Sequence, residues 1–172
     1  MLTKIDLCSM ALLKIGENPI QSFADNSAAA KLGRTLIDVV IDNLLSLHPW
    51  RFACRTYKLV PNSNGDLIIP SDVLRIIRTN GTVMGNKIIS NQDSVTITAI
   101  IRVSPYDFPS YFVSLVATKL ATEFCIPLTS DQTVFRTMVA LYETELQNAK
   151  FIDSTTSQNP GIENFSLIDS RF

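Results

Sequence analysis

A basic surplus is missing from this 172-residue chain: 15 Lys and Arg stand against 16 Asp and Glu, for a net charge of −1. Dedicated nucleic-acid binders normally carry an excess of cations, so that class is disfavoured. No apolar run reaches the ~18 residues of a membrane span, so no membrane partner is expected. The start, Met1-Leu2-Thr3-Lys4-Ile5-Asp6, lacks a basic stretch followed by an apolar one, so no signal peptide is expected. Cysteine is scarce: Cys8, Cys54 and Cys125 are odd in number and far apart. That spacing fits neither a disulfide framework nor a zinc site. All three read as reduced core residues of a protein made in a reducing cytosol. His48 is the only histidine, which removes any two-histidine metal site. The chain also has no phosphate-binding glycine loop, no GxSxG elbow and no Cys–His pair at useful spacing. No cofactor is expected.

What the chain does have is a long amphipathic stretch from Ser27 to Leu47. Ile37, Val40, Ile41, Leu44 and Leu45 recur at helical spacing and form one stripe. Asp25, Asn26 and Ser27 are candidate N-caps. Gly33, inside the helix, costs about 1 kcal/mol against Ala and so suggests close approach by another backbone. Pro49 removes a donor and pushes His48 out of the α region, ending the helix. Before it, a shorter helix spans Lys4 to Ile15, with Thr3 and Asp6 as a capping box and Gly16 beyond its end. Ile5, Cys8, Leu12 and Ile15 form its stripe.

After Trp50 the period becomes two. Ala53, Arg55, Tyr57 and Leu59 are expected on one strand face, with Phe52, Cys54 and Thr56 on the other. Further strands are expected at Leu67–Ile69, at Val73–Thr79 with a less clean pattern, and at Ser94–Val103. Asn80-Gly81 and Gly85-Asn86 are turn signals bounding a small hairpin, Thr82–Met84 with Lys87–Ile89. Residues 51–103 therefore read as one small antiparallel sheet inserted between helices.

Helical structure resumes after Ser104-Pro105. A third helix, Ser110 to Phe124, is apolar nearly all round and is expected to stop at Ile126-Pro127. A fourth runs from Ser130 or Asp131 to about residue 150. The last stretch, Asp153 to Phe172, loses all period yet carries Ile162, Phe165, Leu167, Ile168 and Phe172. Large apolar residues along an extended segment suggest an arm that orders against a partner. The fold class is α+β, mainly α: a four-helix bundle with a small antiparallel β insertion and an extended C-terminal arm. The expected divisions are 1–50 and 104–152 for the bundle, 51–103 for the insertion and 153–172 for the arm.

Several pieces in this order resemble a known family. Ile5-Asp6 and Ala11 to Glu17 precede the alanine-rich helix, which ends in Leu47-His48-Pro49-Trp50-Arg51-Phe52-Ala53. Ile69 to Ile76, Tyr106-Asp107-Phe108-Pro109 and Pro127-Leu128-Thr129 follow. Over about residues 1–150 the chain resembles the head-to-tail adaptors of short-tailed phages, also called tail tubular protein A or tail accessory factor. The tail beyond shows little of this likeness. The resemblance implies a homo-oligomeric ring of about twelve copies beneath the portal protein. It also implies a channel for double-stranded DNA passing without sequence specificity, and attachment of the tail nozzle protein. The place implied is the virion tail, at the head-to-tail interface, after synthesis in host cytoplasm. In relatives a C-terminal arm embraces the portal, which agrees with the arm read here from composition.

The ring role calls for surplus apolar surface, and Leu32, Leu36, Phe112, Val116 and Leu120 are the candidates for the subunit interface. Arg55, Arg75, Arg78 and Arg102 are candidates to face the nozzle or the channel. Near-zero net charge suits a conduit better than a protein that grips phosphates. Trp50 and Phe52 could form a base-stacking platform, but beside Pro49 they fit a core plug better. The enzymatic alternative is a small virion-associated muramidase using carboxylates among Glu17, Glu123 and Asp131. The plainer reading of Glu123 is an i, i+4 pair with Lys119.

Overall fold

The computed structural model describes residues 2–155, so Ile162, Phe165, Leu167, Ile168 and Phe172 of the expected arm lie outside the described range. In chain order the elements are α1 (Lys4–Lys14), α2 (Ala28–Leu47), a 3-10 turn (Arg51–Ala53), β1 (Cys54–Leu59), β2 (Leu67–Ile68), β3 (Val73–Thr79), β4 (Thr82–Met84), β5 (Lys87–Ile89), β6 (Val95–Ile101), a second 3-10 turn (Pro105–Asp107), α3 (Ser110–Thr129) and α4 (Gln132–Thr155). The class is α+β: four helices and two small antiparallel sheets.

The helix ends follow local chemistry. Thr3 and Asp6 close a reciprocal capping box at α1. At its other end Glu17 N–H reaches the Leu12 carbonyl at 3.0 Å and Gly16 N–H the Leu13 carbonyl at 3.2 Å. Gly16 supplies the positive φ of 80° that this reversal needs. Of the three N-cap candidates before α2, Ser27 is the cap; its hydroxyl accepts from Ala30 N–H at 3.1 Å. Asp131 caps α4, accepting from Thr133 N–H at 2.7 Å and Val134 N–H at 3.1 Å.

Two helix ends depart from expectation: α4 continues to Thr155 instead of about residue 150, and α3 runs on as well. α3 passes through Pro127 and ends at Thr129. A proline this near a helix end forfeits one hydrogen bond rather than a full turn of them. The Thr129 hydroxyl donates to the Cys125 carbonyl at 2.7 Å, and Ser130, in the left-handed region with φ 55°, closes the helix onto Ile126 O.

α3 packs against α1, α2 and α4. Phe112, Leu115, Val116, Leu120, Ala121 and Phe124 are fully buried along it. Each such large side chain contributes roughly 1.5–3 kcal/mol by leaving water. α3 is long and apolar enough to cross a membrane by length and composition alone. Here it is the centre of the helical core.

The strands form two sheets, not one. The first has the order β1-β6-β3 and the second β2-β5-β4. A single sheet of these strands would leave Leu67 and Ile88 in water. Folding the second sheet over the first places them in a separate small core with Leu59, Val95, Ile97 and Ala99. The 3-10 turn also shifts the start of β1, so side-chain alternation is counted from Cys54 and excludes Phe52 and Ala53.

Candidate interaction surfaces

The junction between α2 and β1 is tied by several hydrogen bonds to buried groups. Trp50 is fully buried, and its indole N–H donates to the Leu44 carbonyl at 2.7 Å. Its ring meets Phe112 edge-on, with centroids 5.2 Å apart. The core-plug reading of Trp50 holds. Beside it lies Asp153, 2% exposed. Its carboxylate accepts from Arg51 N–H at 3.2 and 3.3 Å and from the Tyr111 hydroxyl at 2.8 Å. His48 Nε2 stands 3.6 Å away. Asp153 was expected to open the arm, but it sits inside α4, which runs to Thr155. A buried carboxylate is tolerable only with such donors, and this one fastens the end of α4 to the junction. Burial next to Asp153 also pushes the Tyr111 hydroxyl pKa upward.

The four arginines proposed for the nozzle or channel do not act as one group. Arg102 pairs with Asp42 of α2 through two hydrogen bonds, the longer 2.9 Å. Arg55 lies on the face of β1 shared with Tyr57 and Leu59, and its guanidinium donates to the Cys54 carbonyl at 2.9 Å. Arg75 and Arg78 lie together on the opposite face. The cause is a pair of register shifts in β3, which pairs Val73 with Ile101, Arg75 with Ile100, Ile76 with Ala99 and Arg78 with Thr98. Leu74 and Ile77 are the extra residues, so residues three apart share a face. That is why the period of this strand reads poorly. Lys58 joins the same face, as do Thr56, Thr96 and Thr98. The Thr56 and Thr98 hydroxyls approach to 3.4 Å across the ladder. Lys58 was missed in the sequence, although counting by twos from Cys54 would have found it.

The proposed subunit-interface set also divides. Phe112, Val116 and Leu120 are fully buried inside the chain's own core, so they cannot form a surface for a neighbour. The all-round apolar character of α3 reflects three packed helices around it. Leu32 and Leu36 are partly buried against the same core. Apolar surface does remain elsewhere. An open groove of about 630 Å³ between α1 and α3 is lined by Leu2, Met10, Leu13, Val113 and Ala117, with Lys14 at its rim. Leu13 is 61% exposed there.

Two of the three carboxylates considered for glycan cleavage have other partners, and Glu17 lies in the loop beyond α1. Glu123 pairs with Lys119 at 2.6 Å, the i, i+4 arrangement. Asp131 is the α4 cap described above. Among the described residues no group of His, Cys, Asp and Glu could hold a metal ion. The cysteines are unpaired, and burial raises the Cys8 thiol pKa to about 12.

These features describe an α+β protein whose surface carries an open apolar groove and a cationic sheet face. The family model described as tail tubular protein matches residues 5–158, and the chain belongs to that family. It is a structural family of bacteriophage tails, which places the chain in the virion tail. Among curated proteins none matches the chain.

Proposed function

We propose that this tail protein is the head-to-tail adaptor of a short-tailed phage. In this reading about twelve copies form a ring beneath the portal, extend the DNA channel and give the tail nozzle its attachment site. The chain works by contact and catalyses no reaction. The observation that carries the reading is the family match, which ends at residue 158, just before an apolar-studded segment. Ile162, Phe165, Leu167, Ile168 and Phe172 of that segment are the proposed portal contacts. Asp153 supports the same division of labour, since it pins the end of α4, a few residues before that segment in the sequence.

A ring of identical subunits needs a head-to-tail surface. The α1–α3 groove, with Met10, Leu13 and Val113, is proposed for that contact in place of the buried Phe112, Val116 and Leu120. The partly buried Leu32 and Leu36 remain secondary contributors. The test is a mass measurement of the full chain alone and with a purified portal ring. A much larger joint assembly is expected, and its loss on deleting residues 156–172 assigns the arm. A chain that stays separate from the portal ring overturns the adaptor reading.

A further inference from the structure

The open end of the β1-β6-β3 sheet bears cations with no assigned partner. Arg78 on β3, Thr98 on β6 and Thr56 on β1 form one cross-strand row, and Lys58 and Thr96 the next. Arg75 lies one row inward, opposite Ile100, where the sheet meets the helical core. All three cations are exposed, and among the described residues none of them forms an ion pair. The positive field continues past Arg75. Arg75 and Lys150 both act on His48, and Arg51 and Arg75 act on Cys54, which Arg55 reaches from the opposite face. The one acid acting on both is Asp153, buried and already holding Arg51 N–H and the Tyr111 hydroxyl. Of the other acids around the sheet, Asp42 is engaged by Arg102, Asp72 by the Tyr57 hydroxyl and Asp66 by Lys87, while the exposed Asp93 lies in the loop three residues before Thr96. A chain of net charge −1 thus concentrates cations on one face.

We propose that this face contacts the phosphodiester backbone of double-stranded DNA, without reading its sequence. Three arguments favour a nucleic acid over an acidic protein. Arg78 and Lys58 flank the central strand on successive rows, about 12 Å apart given the ~4.8 Å strand spacing and ~3.4 Å rise per residue. Between them stand threonines, whose hydroxyls can donate to phosphate oxygens and whose short side chains let a backbone come close. A protein-docking face is anchored by a buried aromatic or aliphatic residue, and the two open rows consist of Thr56, Lys58, Thr96, Thr98 and Arg78 alone. Three cations per subunit give a weak contact that salt loosens, compatible with a duplex that slides past.

The inference rests on the adaptor reading only for where the duplex comes from. Its test uses the full-length protein and a fluorescent 20-base-pair duplex of arbitrary sequence, read by anisotropy. Three neutralised phosphates predict that affinity falls about 500-fold for each tenfold rise in salt. Lys58→Glu with Arg78→Glu should abolish binding at low salt while leaving the circular dichroism spectrum unchanged. Lys31→Glu with Arg34→Glu, on exposed positions of α2, should leave it intact. No binding at 20 mM salt overturns the inference, as does full binding by the Lys58/Arg78 variant. Polyglutamate competing as well as unlabelled duplex also overturns it, in favour of an acidic protein partner. A chain that joins the portal but ignores the duplex sinks this inference alone. One that binds the duplex but never joins the portal sinks the adaptor reading alone.

Discussion

The Tyr111 hydroxyl donates to the Asp153 carboxylate at 2.8 Å, across 42 residues of chain. This bond joins the first turn of α3 to the last turn of α4, and Arg51 N–H brings the α2–β1 junction to the same acid. Removing one partner of such a bond leaves the others short of a hydrogen bond at a part-buried site. Tyr111→Phe should destabilise the protein by roughly 1.5–3 kcal/mol, the range for hydrogen bonds to a charged group. Asp153→Ala should cost about 3 kcal/mol or more, because Arg51 N–H and Tyr111 both lose their acceptor. Urea unfolding measures both. Equal, near-zero effects would show that the junction does not depend on this acid.

His48 makes the same junction sensitive to pH. Burial, with Lys150 and Arg75 nearby, holds its imidazole below the ordinary pKa of 6.5 despite the opposing pull of Asp153. The unfolded chain therefore takes up the proton first as pH falls. The stability linked to neutral His48 is complete above pH 6.5 and declines as pH drops from there toward the lower folded value. Thermal unfolding at pH 7.5 and 5.5 should show a loss at the lower pH. His48→Gln should show a smaller one. An identical pH profile in the variant would remove His48 from the account.

Gly33 sits where α2 passes α1. A Cβ there would lie 3.1 Å from Cys8 Sγ and 3.4 Å from Phe23 Cε1. The close neighbour is a side chain, not the second backbone that the sequence suggested. Alanine gains about 1 kcal/mol of helix propensity but must displace a buried sulfur. Gly33→Ala should be net destabilising, and Cys8→Ala should relieve part of that cost. The double variant should be more stable than the sum of the two single changes implies, by roughly 1 kcal/mol, as expected for residues in contact. Strict additivity in urea unfolding would refute the contact.

Leu13 tests the proposed subunit surface. Being mostly exposed, it can become Glu at a stability cost within about 0.5 kcal/mol. Sedimentation should then show a folded chain that no longer assembles with its copies on the portal. Unimpaired assembly of Leu13→Glu would move the interface elsewhere on the molecule.

Much of the helical part is legible before any coordinates. The α2 stripe from Ile37 to Leu45 is buried as its spacing predicts, and Ser27 and Pro49 mark its ends. β3, β4 and β5 also start and stop where the sequence reading put them. Turn chemistry is legible in outcome but not always in cause. Asn80-Gly81 does mark a turn, yet Gly81 has no positive φ; a Cβ there would fall 2.4 Å from Ile88 Cγ2 and 3.0 Å from Ile89 O. The packing of the neighbouring strand β5 demands glycine at that position, and such a demand is not written in the turn dipeptide itself.

By itself the sequence determined what depends on near neighbours: helix periods, caps, proline stops, and the succession of elements that resembles phage adaptors. Folding decided what depends on distant groups. It split the strands into two sheets, buried Phe112, Val116 and Leu120 under three helices, drew Asp153 into α4, and used two bulges to turn Arg75 and Arg78 to one face. The physical reason is that a residue's face and exposure are set by whatever packs over it. Local spacing can say that a residue is apolar or charged, but not whether a neighbouring element or the surrounding water will meet it.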